Sequence, residues 1–392
     1  MEVNQRRMKN VKWFLIVCML ATLITGCSPD VTEISDITLV MAVGIDYDEE
    51  KNKYVLTSYC VLPLSSSTEK SGKLSAWVAS ATGTSIYDAA KNLRNQASKK
   101  MIWQHNKFII VGESAARHSF YDIVDFLTRN RQVRITSNLM VSDGKAADKL
   151  KVKSETGDLL SNELLGKTRN DMDWGKSINQ TVKNIANWNS NPYRGFVAGR
   201  LRKSKQSNNS HEVLVSGGGS VFNKGRFIDW LEGEEVLVVH LLSQKRQWKD
   251  LEFIETVDFK SSKVTLLFQV SKQVISSSLS DGSPKLDIYL NFKANLSETN
   301  HRLTISRQDT LVELEQTAST YMENIIRDSL NRFQKDLKVD LIGFSDYFIQ
   351  FHPIEWRKLK NEWMDIYPTI PINVHVDVKI DTLGMIQSIG GE

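Results

Sequence analysis

Cys27 is the residue whose neighbours in the sequence most clearly predict a chemical role. It ends the stretch Ile24-Thr25-Gly26-Cys27, which follows a 12-residue apolar run at 13–24 and a segment that carries four Lys and Arg residues. A helix of that length rises about 18 Å, well short of the ~30 Å hydrocarbon core of a membrane. The run is therefore too short for a stable membrane span. Its basic start and its small-residue end are typical of a secretory signal peptide.

An aliphatic residue followed by small residues and a cysteine is the processing signal of bacterial lipoproteins. We therefore predict that residues 1–26 are a lipoprotein signal peptide and that Cys27 is the first residue of the mature chain. Its sulfur would carry a diacylglyceryl group and its amino group an acyl chain such as palmitate, and these chains would insert into membrane lipid. The alternatives are an ordinary signal peptide that is cleaved near a cysteine, and an uncleaved anchor.

The basic character of the sequence belongs to its first 26 residues. The formal net charge is +4, and residues 1–26 carry four Lys and Arg residues and one acid, Glu2. Their net charge is therefore +3, which leaves +1 for the rest of the chain. Nucleic-acid binding would need a concentrated basic face. We therefore expect no nucleic acid among the partners.

The cysteines also limit how the mature chain is stabilised. Cys18 lies in the apolar run and Cys27 is the predicted lipid acceptor, so Cys60 would remain as the one thiol and no intrachain disulfide could form. Stability must then come from core burial. Cys60 lies in a segment of alternating apolar residues, which predicts a packed strand residue rather than a nucleophile.

The sequence contains no recognisable catalytic or metal-binding motif. The seven histidines are scattered, and neither H-E-x-x-H, G-x-S-x-G nor a Cys/His zinc set occurs. Residues 46–50 are acidic, but Lys51 and Thr57 stand at positions six and twelve, where a calcium loop needs Gly and Glu. The triple glycine at 217–219 lacks the frame of a phosphate-binding loop and predicts a flexible bend. We therefore expect no enzyme activity, no cofactor and no metal.

Strand and helix patterns alternate along the first part of the chain. Strands are predicted at 37–45 and 53–62, a helix at 85–96 with Thr84 as its N-cap, and one strand at 101–112 that includes His105. Strands alternating with helices favour an α/β fold class with mixed sheets. The length of 392 residues predicts two or three globular units after the signal peptide.

The last third of the chain is strand-rich and then helical. A long amphipathic helix is predicted from 311 to 333, and a strictly alternating strand closes the sequence at 371–381. Trp356 and Trp363 belong to an apolar stripe at helical spacing. Two tryptophans seven residues apart could form a ligand wall, but a core stripe is the commoner explanation for this spacing.

Four blocks of motifs, in order along nearly the whole mature chain, resemble one family. This family is the Ger(x)C spore germination lipoproteins, the C subunits of nutrient germinant receptors. Residues 33–46 fit the pattern E-[IL]-x-[DE]-[LI]-x-[LI]-V-x-x-x-G-[IV]-D, and FNKGRFIDWLEGEEV and residues 340–368 form the third and fourth blocks. The second block consists of His105-Asn106-Lys107, Gly112-Glu113, Ala116-Arg117, Arg129-Asn130 and Val133-Arg134. One departure is Ser28-Pro29, where many members have Trp-Asp directly after the lipid-bearing cysteine.

The resemblance implies three α/β domains, which we place at 27–195, 196–255 and 256–392. It implies a lipid-anchored subunit on the outer face of the cell membrane or spore inner membrane, beside A-type and B-type integral-membrane receptor subunits, with no enzyme activity. The residues that it marks have interface or structural roles, which the sequence does not separate: Asp46, His105, Asn106, Arg129, Arg134, Trp356 and Trp363.

Two other functions compete with this interpretation. An extracytoplasmic lipoprotein that binds a small molecule would be expected to show two similar α/β lobes around a hinge, and the segments here are unlike one another. An envelope hydrolase would need a nucleophile or a metal-binding set, and the sequence does not supply one.

Overall fold

The computed structural model describes Trp13 and residues 33–63, 75–155, 157–205, 212–243, 251–280, 282–299 and 308–382. Cys27 and nearly all of the predicted signal peptide therefore lie outside the described residues, and the lipidation of Cys27 stays a prediction.

Two mixed β-sheets organise the described chain. The first has ten strands: β1 (Ile37–Asp48), β2 (Lys53–Val61), β3 (Ala76–Gly83), β4 (Lys100–Ile102), β5 (Phe108–Gly112), β6 (Asn138–Ser142), β7 (Gln180–Thr181), β8 (Phe196–Lys205), β9 (Glu212–Asn223) and β10 (Arg226–Leu231). The second has four: β11 (Glu252–Phe259), β12 (Ser262–Ser280), β13 (Ser283–Thr299) and β14 (Ile372–Thr382).

Both sheets combine parallel and antiparallel pairs. The first follows the order β10-β9-β8-β6-β5-β1-β2-β3, with β4 beside β1 and β7 beside β6. Its centre is parallel (β8, β6, β5 and β1), and its two ends are antiparallel hairpins. The second follows the order β11-β12-β13-β14, and only β13 and β14 run parallel. The mixed α/β fold class predicted from the sequence is confirmed.

Helices cover both faces of the first sheet and pack on the second. They are α1 (Ile86–Gln96), α2 (Glu113–Arg129), α3 (Ala146–Leu150), α4 (Leu160–Asp173), α5 (Val182–Asn189), α6 (Gly233–Leu242), α7 (Gln308–Asn331), α8 (Phe344–Phe351), α9 (Pro353–Leu359) and α10 (Trp363–Ile366). Apolar residues of α1, α2 and α5 fill the core on one face of the first sheet, and those of α3 and α4 fill the core on the other. Apolar residues of α6, α7 and α8 share a third core with the second sheet.

Strands β8 and β9 contribute to two of these cores. Phe196 and Phe222 point into the core with α2 and α5, whereas their neighbours Val197 and Val221 point into the core of the second sheet. Side chains alternate across a strand, so one strand can serve both cores. The predicted middle unit at 196–255 therefore shares its strands with the first sheet, and the exact domain limits stay a prediction.

Three local expectations were wrong for identifiable reasons. Ser85, not Thr84, is the N-cap of α1, since the Ser85 side chain accepts the N–H of Asp88. The strand predicted at 101–112 is broken between β4 and β5, where the Asn106 side chain accepts the N–H of Phe108 at 3.0 Å and competes with strand pairing.

The triple glycine lies inside β9 and is not a flexible bend. Gly218 has a φ of +76°. A Cβ on this residue would lie 2.4 Å from the Leu231 carbonyl oxygen, and one on Gly219 would lie 2.4 Å from Val197 Cγ1. Close packing of β9 between β10 and β8 therefore requires glycine here.

Candidate functional site

Asp46 accepts hydrogen bonds from the first N–H groups of a helix that begins 100 residues later in the chain. It lies near the end of β1, is 4% exposed, and accepts the N–H groups of Ala146 at 2.7 Å and Ala147 at 2.9 Å. These two N–H groups open α3, whose own N-cap residue, Lys145, makes no side-chain cap. Asp46 therefore acts as the side-chain N-cap of α3, although it lies on a strand that is distant in sequence. Burial raises the pKa of its carboxyl group.

Glycines make room for this contact. A Cβ on Gly112, at the end of β5, would lie 1.9 Å from Asp46 Oδ1. A Cβ on Gly44 would lie 3.1 Å from the Cβ of Ala146. The sequence pattern that includes Gly44 and Asp46 thus has a packing explanation, since the carboxylate and α3 both approach the strand backbone closely.

Asn106 holds the chain between β4 and β5. Its side chain is 4% exposed, its Oδ1 accepts the Phe108 N–H, and its carbonyl oxygen accepts the Ser137 hydroxyl at 2.6 Å. The last bond ties this turn to the segment before β6. Asn106 is therefore positioned as a structural residue, and it also borders a cavity between α1 and α2.

His105, Arg129 and Arg134 lie on the surface. His105 is exposed in a turn rather than on a strand, Arg129 pairs with Asp125 at 2.7 Å, and Arg134 Nε donates to Thr136 Oγ1 at 2.8 Å. No hydrogen bond or ion pair joins any two of the three residues, all of which are described. The structure does not gather them into one cluster, and their interface role stays a prediction.

Trp356 and Trp363 are buried and pack against each other, with ring centroids 5.2 Å apart and planes at 65°. Trp363 also packs on Phe348 at 5.4 Å, and Trp356 on Tyr193 at 5.1 Å. Both belong to the core of the second sheet. Of the two explanations for their spacing, the core stripe is the one the structure supports.

Asp340 is a second buried carboxylate, and it was not among the site residues predicted from the sequence. It is fully buried and accepts three N–H groups at the start of α8, from Gly343 at 2.7 Å and from Phe344 and Ser345 at 2.9 Å. Its own carbonyl oxygen accepts the N–H of Gly195 at 3.0 Å, which joins it to the segment before β8. Burial raises the pKa of the Asp340 carboxyl group, although these N–H groups and Arg194 act in the opposite direction.

Arg194 crosses from the first sheet to α8 beside Asp340. Its Nη1 pairs with Asp346 Oδ2 at 2.9 Å, and its Nη2 donates to the carbonyl oxygens of Leu341 at 3.4 Å and Ile342 at 3.3 Å. We call this set of contacts, made by Arg194 and Gly195 with residues 340–346, the joint. It connects the parts of the chain that carry the two sheets.

A further set of contacts crosses between the same two parts at Arg332, just after α7. Its guanidinium pairs with Asp229 at 3.1 Å and with Glu235, and it donates to the Trp230 carbonyl oxygen at 3.0 Å. Several charged residues thus hold the two sheets in one arrangement.

The cap formed by Asp340 does have a local sequence pattern. It is a single carboxylate within KVDLIGF, three residues before a glycine.

The chemistry available in the described residues is limited. No group of three or more His, Cys, Asp or Glu side chains that could hold a metal ion occurs among them. Cys60 is fully buried on β2, as predicted, and burial raises the pKa of its thiol. None of the described helices is long and apolar enough to cross a membrane.

Comparison with known families accounts for most of the chain. The model of the spore germination protein N-terminal domain matches residues 30–203. The model described as spore germination B3/GerAC-like, C-terminal, matches residues 217–384. The chain belongs to the GerAC family of spore germination proteins.

Individual GerAC family members are distant in sequence but matched along their length. Spore germination protein KC of Bacillus subtilis (strain 168) is 24% identical over 400 residues, which cover 95% of this chain and 96% of that protein. Spore germination protein B3 of the same organism is 22% identical over 385 residues, which cover 97% of this chain and all of that protein.

A solved structure shares the GerAC family fold. The crystal structure of the GerBC protein matches with a TM-score of 0.57 at 17% identity, covering 90% of this chain and 100% of that one. At this identity the match supports the fold and nothing finer. The two family models meet within the region of β8 and β9, the strands whose residues belong to two cores.

Proposed function

We propose that this chain is a lipid-anchored subunit of a spore nutrient germinant receptor. It would be attached through Cys27 to the outer face of the cell membrane or spore inner membrane. There it would bind A-type and B-type integral-membrane subunits and support the assembly or activity of the receptor, without catalysing a reaction.

The observation that carries this proposal is the match to both GerAC family models, one for each half of the chain. Relatives named for spore germination are covered almost end to end, so no large part of the chain is left for a different activity. The receptor role itself comes from the family resemblance of the four sequence blocks.

The polar groups of the described structure favour binding over catalysis. The carboxylate oxygens of Asp46 and Asp340 accept hydrogen bonds from backbone N–H groups at helix starts. A general acid or base needs a carboxylate or imidazole that can reach a substrate. These two buried carboxylates instead hold helix starts in place, which is a structural role.

Lipidation would strengthen binding between the subunits without increasing the area of their interface. One acyl chain binds a membrane marginally, whereas the two chains of a diacylglyceryl group, at about 0.8 kcal/mol per buried CH₂, give stable anchoring. Subunits confined to one membrane meet at a raised effective concentration, so a weak protein interface suffices to hold a complex.

Replacement of the lipid acceptor tests the anchoring step. We expect Cys27→Ala to lose labelling by radioactive palmitate and to leave the membrane fraction, because the sulfur that carries the lipid is absent. Cys18→Ala is the matched control, since it removes a cysteine from the apolar run before Cys27 and keeps the acceptor. A Cys27→Ala protein that is still labelled and fully membrane-bound contradicts the anchoring proposal.

A further inference from the structure

A cavity of about 280 Å³ opens between α1 and α2 above the centre of the first sheet. Its floor is apolar and is built by β1, β2 and β5, with Val43, Ile45, Leu56 and Ile109. Ligand pockets in proteins typically measure about 300–1,000 Å³ and combine apolar walls with a few polar groups. The volume of this cavity is just below that range, so the cavity suits a small molecule.

The rim of the cavity is cationic. Lys91 and Arg94 stand on α1, and opposite them Gln132 follows α2. Arg94 Nη2 donates to Gln132 Oε1 at 2.8 Å, while no described residue gives Lys91 an ion pair or a side-chain hydrogen bond. None of the described residues that line the cavity is acidic. Lys91 and Arg94 are exposed, so two positive charges stand at the rim of an apolar cavity whose described lining holds no counter-ion.

Asn106 supplies an unused donor at the same place. It is 4% exposed and lines the cavity, and its Oδ1 is occupied by the Phe108 N–H. Its Nδ2 finds no acceptor among the described residues. Trp103 also lines the cavity, and its Nε1 atom is buried and has no hydrogen-bond partner among the described residues. A buried donor without a partner costs about 1–3 kcal/mol, which a ligand acceptor would recover.

We propose that this cavity binds a small monocarboxylate with a branched or aromatic apolar body. The body rests on the floor of valine, isoleucine and leucine side chains, and the carboxylate takes its hydrogen bonds from Arg94, Lys91 and Asn106. Charge-assisted hydrogen bonds of this kind are about twice as strong as neutral ones. The inference does not depend on the receptor role, since it uses only the residues of this cavity.

The same lining selects against α-amino acids. The ammonium group of an amino acid would lie beside Lys91 and Arg94 with no carboxylate in the described lining to receive it. Like charges placed together oppose binding. Selection is therefore expected between two molecules of the same apolar shape, one with the ammonium group and one without it.

Three probes separate these chemistries in calorimetric titrations of the full-length chain in lipid nanodiscs. They are 4-methylpentanoate, its neutral analogue 4-methylpentanamide, and leucine, which is the same acid with an α-ammonium group. We expect the acid to bind at least about tenfold more tightly than the other two. Equal affinity for the acid and the amide, or for the acid and leucine, overturns the proposal.

Variants then locate the binding. We expect Arg94→Gln with Lys91→Gln to weaken binding of the acid at least about tenfold and to leave binding of the amide unchanged. Lys53→Gln, an exposed lysine outside the cavity, is the control and keeps the wild-type affinity. Ala90→Phe places a ring in the cavity and is expected to abolish binding of both molecules. If Ala90→Phe does not fold, the charge variants decide.

Two outcomes contradict the site. One is the absence of saturable binding of the acid up to about 10 mM. The other is an affinity for the acid that stays at the wild-type value in the double charge variant.

Discussion

Asp46 and Asp340 are both buried carboxylates that accept N–H groups from the start of a helix, yet they act over very different distances along the chain. Asp46 reaches α3 across 100 residues, from one strand of the first sheet. Asp340 caps α8 from three to five residues away. The first carboxylate holds two remote segments together, and the second shapes a local turn that is then docked through Arg194 and Gly195.

The comparison shows which kinds of buried polar group a sequence can reveal. A carboxylate just before its helix leaves a local signal, because the spacing of acceptor and N–H groups is fixed by the chain. A carboxylate that serves a helix 100 residues away leaves none, because its partner depends on how the sheet assembles. The family pattern alone marked Asp46 as a site residue. Asp340 has a local sequence pattern but was not among the predicted site residues.

The largest effect is expected for Asp340→Ala. The variant leaves three N–H groups without their acceptor in a fully buried position, and each such group costs about 1–3 kcal/mol. We expect the free energy of unfolding, measured by chemical denaturation, to fall by about 4 kcal/mol.

Two variants control for this result. Asp340→Asn keeps one acceptor oxygen and is expected to fall between wild type and alanine. Asp336→Ala removes an exposed carboxylate of the same segment and should change stability by less than about 0.5 kcal/mol. A loss below about 1 kcal/mol for Asp340→Ala would show that the turn before α8 does not need its cap.

Asp46→Ala is expected to cost less, about 2 kcal/mol, because two N–H groups rather than three lose their acceptor. The loss should concentrate in α3, so hydrogen exchange of Ala146 and Ala147 should accelerate more than that of the sheet. Glu50→Ala, in the exposed turn after β1, is the control. Equal acceleration throughout the first sheet would mean that Asp46 supports the sheet rather than the helix.

Arg194→Gln tests how much the side-chain contacts of the joint contribute to stability. The variant removes the pair with Asp346 and the bonds to two carbonyl oxygens, all in a partly buried site, and we expect a loss of about 1–2 kcal/mol. Arg131→Gln, an exposed arginine, serves as control. If Arg194→Gln costs as much as Asp340→Ala, the guanidinium contacts of the joint contribute as much to stability as the cap of α8.

The smallest expected effect is a change in the slope of the free energy of unfolding against pH. Burial raises the pKa of both carboxyl groups above the ordinary value of 3.8, so the folded chain holds protons that the unfolded chain has released. Their contribution is therefore complete below pH 3.8 and is lost as pH rises through the folded pKa. We expect wild type to lose stability relative to Asp46→Asn and Asp340→Asn as pH increases from about 4 to 7. The opposite slope would mean that the bonded N–H groups outweigh burial.

Sequence reasoning succeeded where structure is local and periodic. Alternation placed β1 and β2, helical spacing placed α7, and the Trp356–Trp363 stripe belongs to the core. It failed at the Asn106 turn and in the glycines of β9, because side-chain bonding and close strand packing there override the alternating pattern. The cavity above the first sheet was also invisible, since its residues come from separate strands and helices.

We propose that the chain is a membrane-anchored subunit held to receptor subunits by a protein interface. The most direct test is affinity purification of the tagged chain from detergent-solubilised spore membranes, with mass spectrometry of what comes with it. An unrelated lipoprotein of the same membrane, carrying the same tag, controls for shared lipid. We predict that A-type and B-type receptor subunits are enriched with this chain and not with the control. Recovery of this chain without either subunit would contradict the claim.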